Sequence, residues 1–219
     1  MKKLNIYNKL GNINQNQSIF DGFSRILFYE MVKHLNGDIV ECGVFKGTGI
    51  LTWLKILELH EPNSIKKIIG FDFFNKNFVN DITNNNDRDL MSQVFNRCNP
   101  SIDDISYDSI QEKILKFNFS PEKFELIEGD ISNTSKIFVD QRPGFRISLL
   151  YLDLDLDKPT YDTLNNFWDN IVSGGVIVLD EYAYHSWSES NGVDRFIKEK
   201  KLKLLPTKIK APTAFLIKK

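Results

Sequence analysis

Cysteine, histidine and proline are scarce in this chain of 219 residues, which holds two, three and seven of them. Two cysteines, Cys42 and Cys98, are too few for a disulfide framework or a four-cysteine zinc site. Neither sign of charge is in excess: 28 lysines and arginines face 29 acids, a formal net charge of −1. A dedicated nucleic-acid binder usually carries a basic surplus, so no nucleic-acid partner is expected. Any anionic ligand has to be held by local groups rather than by the field of the whole molecule. No apolar run approaches the ~20 residues that span a bilayer, and no membrane span is expected. The opening MKKLNIYNKLGNINQNQ carries lysines but no apolar segment, so it does not read as a signal peptide. Together these absences lead to the expectation of a soluble protein of a reducing compartment, the cytoplasm.

A core, by contrast, is well supplied. Hydrophobic residues make up 42% of the chain and aromatic residues 12%, enough to exclude wholesale disorder. The length fits one domain, 1–219. From Asp38 onward short apolar runs alternate with helical stretches. Strands are expected at Asp38–Cys42, Lys66–Asp72, Phe124–Glu128, Ile147–Leu152 and Val176–Leu179. A helix carrying Ile50, Leu51, Trp53, Leu54, Ile56 and Leu57 follows the first strand. Leu164, Phe167, Trp168 and Ile171 recur at helical spacing ahead of a stop at Gly174-Gly175. The fourth and fifth runs are continuously apolar, as in strands covered on both faces. This order predicts an α/β fold with a doubly wound, mostly parallel sheet.

Leu202–Lys219 reads as two strands around Pro206 and Pro212, a closing antiparallel pair. In an N-terminal segment, 1–37, Phe23, Ile26, Leu27 and Leu35 suggest an amphipathic helix packed ahead of the first strand, and the Asn-rich first 20 residues are expected to be mobile. Residues 73–122 are too long for one crossover. With a helix expected at Ser109–Phe117, they read as an inserted helical lid.

Three motifs carry chemistry. Glu41-Cys42-Gly43-Val44-Phe45-Lys46-Gly47-Thr48-Gly49 stands between a strand and a helix, where glycines admit a ligand and the helix N-terminus offers free N–H groups. The glycine spacing is not that of the dinucleotide fingerprint. An acid-x-Gly-x-x-x-Gly pattern suits a nucleoside cofactor bearing an amino-acid group, with Glu41 placed to receive an ammonium. Asp72, ending the second strand, is placed to accept from ribose hydroxyls, and Gly129-Asp130, ending the third, to border an adenine. The third motif is acidic: Asp153, Asp155 and Asp157 follow the fourth strand, and Asp180 and Glu181 the fifth. Carboxylates gathered at the carboxyl edge of buried strands repel one another unless a cation sits between them. An all-oxygen set favours Mg²⁺, Mn²⁺ or Ca²⁺ over zinc. His185 lies close enough in sequence to reach the same cleft, and Trp187 covers the core or stacks on a sugar face.

The strings VECGVFKGTG, GFDFF, LLYLDLDLDKPTYDTL and SGGVIVLDEY resemble the macrocin O-methyltransferase family from about Asp38 to Phe196. The resemblance implies a Rossmann-like methyltransferase sheet of seven strands. It also implies S-adenosylmethionine and Mg²⁺ as cofactors, a sugar-containing small-molecule acceptor, and a homodimer or larger assembly. Carried over by position, Glu41, Gly43 and Gly47 line the methionine side of the cofactor, Asp72 takes the ribose, and Gly129 and Asp130 border the adenine. Asp153, Asp180 and Glu181 match the metal ligands, with Asp153 also bordering the cofactor, and Asp155 matches the general base, His185 being the other candidate. The sequence departs from the family at Asp157, where an aromatic residue is common, at Glu181, where an aspartate is common, and at Phe73-Phe74-Asn75, where a serine usually follows. The alternatives on the same scaffold are a metal-dependent O-methyltransferase of phenols or catechols, a relative of the antibiotic hydroxylases, and a non-catalytic cofactor-binding protein.

Overall fold

A computed structural model describes residues 15–219, with side chains from Gly22 onward. Helix α1 (Gln15–Val32) leads into β1 (Asp38–Cys42), α2 (Thr48–His60) and β2 (Ile68–Asp72). A 3₁₀ turn (Asn77–Asp81) and helices α3 (Asn85–Cys98), α4 (Ile102–Ile105) and α5 (Tyr107–Lys116) come next. Then follow β3 (Phe124–Glu128), α6 (Ile131–Asp140), β4 (Ile147–Leu152), α7 (Asp157–Trp168), β5 (Ile171–Leu179), α8 (Glu189–Lys200), β6 (Leu205–Pro206) and β7 (Ala214–Ile217). The seven strands form one sheet in the order β3-β2-β1-β4-β5-β7-β6. Strands β1 to β5 are parallel, and β7 runs antiparallel to both β5 and β6. The doubly wound architecture, the five parallel strands and the closing pair are those the sequence predicts.

Every residue of β4 is buried, because its two faces feed two cores. Leu149 and Tyr151 pack with Ile39, Val176 and Val178 beneath α1 and α2. Leu150 and Leu152 pack with Val40, Cys42, Ile177 and Leu179 against α6, α7 and α8. Sheet order reverses between β1 and β4, and an open α/β sheet leaves its ligand crevice outside the carboxyl ends of the strands at such a point.

Two expectations need correction. Phe23 (65% exposed) and Leu27 (59%) face outward, and α1 instead buries Arg25, Phe28, Tyr29 and Val32. The helix is turned so that Arg25 meets Glu41 of β1 at 3.3 Å and Phe28 meets Phe215 of β7. A buried ion pair therefore sets its rotation, and a reading of apolar spacing alone misses it. Helix α7 ends at Trp168, and Ile171, Gly174 and Gly175 belong to β5. There Ile171 pairs with Ile147 but Val176 with Leu149, so residues 172–175 bulge, and Gly174 takes φ +81°. The mobility expected of residues 1–14 lies outside the described residues, whereas residues 15–20 are part of α1.

Residues 73–122 hold the 3₁₀ turn at Asn77–Asp81 and α3 to α5, built from local signals. Asn84 caps α3 by accepting from the N–H groups of Asn86 and Asp87, an arrangement that satisfies donors a helix start leaves free. Asn99 ends the helix in the left-handed region, at φ +38°. The expected helix at Ser109–Phe117 is α5, Tyr107–Lys116. Val79 and Met91 of this segment pack with Leu156 and the half-buried Trp187. Trp187 thus covers an apolar cluster, the first of its two readings.

Candidate functional site

A cavity of about 770 Å³ opens at the carboxyl edge of β1 to β4. Gly43, Asp72, Gly129, Asp130, Asp153, Asp155 and Asp157 all line it, each of them in a motif singled out by the sequence. Glu41, Gly47, Asp180, Glu181 and His185 are not among its lining.

The glycine loop enters the cavity because nothing larger fits. Gly43 takes φ +95°, and a Cβ on it would stand 2.0 Å from the Asp153 carbonyl oxygen. That contact locks the end of β1 against the end of β4. Asp72 then organises the loop: the N–H groups of Val44 (2.7 Å) and Phe45 (2.8 Å) donate to one carboxylate oxygen, and the N–H of Phe74 (2.8 Å) donates to the other. Burial raises the Asp72 carboxyl above its ordinary value, against the pull of these donors. Asp130 caps α6, accepting from the Ser132 N–H at 2.9 Å. Lys46, buried within the loop, reaches Asp104 at 3.9 Å and so ties the loop to the 73–122 segment.

Glu41 is 2% exposed and points beneath α2, where its partner is the Arg25 guanidinium. Gly47 caps α2 at φ +82° with its Cα facing Ile110. His185 is exposed on the turn between β5 and α8.

The acids of β4 and β5 form one electrostatic unit. Burial first, then the charges of Asp180, Asp155 and Glu181, push the Asp153 carboxyl well above the usual range, with Arg25 opposing them. Burial and Glu181 do the same to Asp155. Glu181 is pushed up to about 7 by burial, with Asp180 and Glu189 adding to the shift. Asp155 sits at φ +62°, a conformation that an aspartate tolerates better than most residues. Asp180 accepts a hydrogen bond from the buried Tyr151 hydroxyl, while Asp157 pairs with Arg195 at 2.6 Å, and this pair lines the cavity. Among the described residues, no three acidic, histidine or cysteine side chains converge closely enough, as they stand, to hold a metal ion.

The residues that sequence reasoning missed complete the picture. Glu189 is fully buried at the start of α8, and burial first, then the charges of Asp155 and Asp180, push its carboxyl well above the usual range. Nothing in its local sequence distinguishes it from an ordinary acid in a first helical turn. Phe78, Ile82, Met91 and Phe95 form an apolar wall opposite the acids, with Phe78 stacked on Phe73 at 4.6 Å and 3°. The wall is held in place from across the cavity. Ser188 donates to Asp87 of α3 at 2.7 Å and accepts from the Asp157 N–H at 2.8 Å.

Residues 21–217 match the family model described as macrocin-O-methyltransferase (TylF). The chain belongs to this family. Two Streptomyces proteins are similar to it: the demethyldecarbamoylnovobiocin O-methyltransferase of Streptomyces niveus and the 8-demethyl-8-(2,3-dimethoxy-alpha-L-rhamnosyl)-tetracenomycin-C 4'-O-methyltransferase of Streptomyces olivaceus. Each is 24% identical over 67% of this chain. The chain spans about half of their length, 53% in each case. The fold is that of the O-methyltransferase NovP, with a TM-score of 0.74 and 19% identity over 94% of this chain and 81% of that one. It is also that of the calicheamicin methyltransferase CalS11, with a TM-score of 0.71 and 22% identity over 91% and 79%. These macrocin-family likenesses agree with the resemblance carried by the glycine loop and the two acidic motifs. Among the described residues no helix is long and apolar enough to cross a membrane.

Proposed function

We propose that the chain is an S-adenosylmethionine-dependent O-methyltransferase that acts on a hydroxyl of a sugar-containing small molecule, with a divalent cation, Mg²⁺, as its second cofactor. The observation that carries this reading is the meeting, in one cavity, of the glycine loop, the Asp72 and Gly129-Asp130 edge, and the Asp153 to Asp155 acids. When bound, S-adenosylmethionine supplies a sulfonium methyl as electrophile. The residues present fit it: Gly43 leaves room for a ligand beside the backbone, Asp72 offers the remaining lone pairs of a half-buried carboxylate, and Gly129 and Asp130 border the same space.

In donor chemistry the acids suit a hard cation, although as they stand no three of the described side chains converge on one point. Every candidate ligand is a carboxylate, burial and neighbouring charges raise Asp153 and Glu181, and Glu181 Oε2 is buried without a partner. Asp153, Asp180 and Glu181 would hold the ion, which lowers the pKa of a hydroxyl bound beside it.

The chain's own residues do the rest. Asp155, at the cavity lining, accepts the hydroxyl proton on a carboxylate oxygen, and burial with the charge of Glu181 raises its affinity for that proton. The wall of Phe78, Ile82, Met91 and Phe95 excludes water and holds an apolar part of the acceptor in place. The same wall favours one further reading, a phenolic or catechol hydroxyl as acceptor, because flat rings pack well on aromatic side chains.

The test is transfer of a labelled methyl group from S-adenosylmethionine to a panel of aryl glycosides, nucleotide sugars and catechols, with Mg²⁺ or with EDTA. Label on a sugar hydroxyl that disappears in EDTA is the expected result. Label on catechols alone would move the acceptor to the second reading, and transfer that EDTA leaves intact would remove the cation.

A further inference from the structure

The cavity has two sides of opposite chemistry, and together they select a kind of acceptor. One side is aromatic. Phe45 of the glycine loop, Phe73 after β2, Phe78 of the 3₁₀ turn and Phe95 of α3 all line it. Their rings form one unbroken run. Phe73 stacks on Phe78 at 4.6 Å and 3°, and Phe95 meets Phe78 at 5.8 Å and Phe45 at 6.2 Å, both edge to face. Phe45 sits at φ +47°, where a bulky residue is rarely found, and it stays 37% exposed. Asp72 holds that backbone by accepting from the Phe45 N–H at 2.8 Å. A ring kept in a disfavoured conformation and left facing a cavity does not fill a core, and strain of this kind gathers at ligand sites.

The other side is acidic. Among the described residues, seven aspartates line the cavity against two bases, Lys158 and Arg195. Both bases are engaged. Lys158 pairs with Asp162 at 2.5 Å, and Arg195 pairs with Asp157 at 2.6 Å while lying over the Tyr161 ring at 4.1 Å. With Asp72, Asp130, Asp153 and Asp155 assigned to the cofactor and the cation, Asp81, Asp87 and Asp157 remain around the acceptor. A cleft lined by one sign of charge repels a ligand of that sign. A diphosphate would find there neither a free base nor a favourable field. Uncharged sugar hydroxyls, by contrast, donate strongly to carboxylates. We propose that the acceptor is a finished glycoside with a flat, apolar aglycone, whose sugar lies along the acids and whose aglycone lies on the phenylalanine wall, and that nucleotide sugars are turned away. This rests on the sugar reading given above and narrows it. Phe95, half-buried and remote in sequence from the cofactor motifs, sets the aglycone preference, and Asp81, exposed at the cavity, opposes phosphate.

The test presents each of several sugars as a naphthyl glycoside, as a methyl glycoside and as a uridine diphosphate sugar. Transfer of labelled methyl is followed in wild type, Phe95→Ala and Asp81→Lys. Calorimetry measures binding of the same compounds to protein saturated with S-adenosylhomocysteine. In wild type the naphthyl glycoside is expected to show a KM at least about tenfold below that of the methyl glycoside, from ring packing and apolar burial. The nucleotide sugar should have the lowest kcat/KM of the three. Phe95→Ala should raise KM for the naphthyl glycoside by about three- to tenfold and leave the methyl glycoside as it was. Asp81→Lys should improve the nucleotide sugar alone. If Phe95→Ala does not fold, Phe95→Leu carries the comparison, because it keeps apolar bulk and loses the ring. A wild-type preference for the nucleotide sugar, or equal KM for the two glycosides, overturns this inference and leaves the sugar reading standing. An unchanged naphthyl preference in the folded Phe95 variant overturns it as well. Label on catechols alone overturns the sugar reading and this inference together. If no compound is methylated, the binding series decides: tighter binding of the naphthyl glycoside supports the inference, and binding without preference overturns it.

Discussion

Gly49 lies directly over Glu41: a Cβ on Gly49 would stand 1.8 Å from the glutamate Oε1. The first turn of α2 thus seals the carboxylate that pairs with Arg25, joining α1, β1 and α2 at one point. Gly49→Ala forces the buried pair to shift, and overpacking of this kind costs about 1–3 kcal/mol. Urea unfolding should report that loss. A Glu41→Ala, Gly49→Ala double variant should recover part of it, since contacting residues couple. Additive effects would show that the contact is not felt.

Asp72 holds the glycine loop through three backbone N–H groups. Asp72→Ala leaves these donors unpartnered, and the two that are partly buried, on Val44 and Phe74, cost up to about 1–3 kcal/mol each. The variant should lose stability and S-adenosylhomocysteine affinity together. Asp72→Asn keeps one acceptor oxygen and should fall between the two. Wild-type affinity in the alanine variant would detach the loop from cofactor binding.

Asp155→Asn keeps size and shape but cannot take up a proton. Cofactor affinity should be unchanged while methyl transfer falls by about 10²–10⁴-fold, the usual share of a general base. Near-normal rates would pass the role to another group, with His185 next to be changed despite its exposed position.

The Asp87–Ser188 bond is the strap across the cavity. Asp87→Ala should raise amide exchange in α3 and raise KM for the acceptor more than it lowers kcat. Unchanged exchange would mean that the apolar cluster of Val79, Met91 and Leu156 holds the segment unaided.

The acid cluster also predicts a pH dependence of stability. Asp153, Asp155, Glu181 and Glu189 all have folded pKa values above their ordinary ones, Glu181 at about 7, against about 4 in an unfolded chain. Between these values the unfolded state binds fewer protons than the folded one, so stability falls as pH rises. Thermal midpoints in EDTA should therefore drop from about pH 5 to about pH 7.5, and Mg²⁺ should restore more of the loss at the higher pH. A flat profile in EDTA would mean that these acids are not held as the structure shows.

Much of this was legible in the residues, for identifiable reasons. Phe124–Glu128 and Ile147–Leu152 are strands at the very bounds read from the sequence, the first as an edge strand whose burial alternates and the second as a run buried on both faces. Gly43, Asp72 and Asp153 could be placed because each ends a parallel strand, and such ends share one edge. Tertiary pairing was not legible. The turn of α1 depends on Arg25 finding Glu41, and β5 extends back through Gly174 because it must pair with β4. Glu189 looks like a solvated first-turn acid until the β5–α8 turn folds it against Asp155. The apolar wall of 77–98 draws on a segment whose sequence is mostly polar, so its few inward residues gave no periodic signal.

The central claim, a nucleoside cofactor at the Gly43 and Asp72 edge, is tested most directly by calorimetric titration of the wild-type protein with S-adenosylhomocysteine. The account predicts saturable binding at one site per chain that Asp72→Ala weakens. No binding heat in wild-type protein at several temperatures would contradict it.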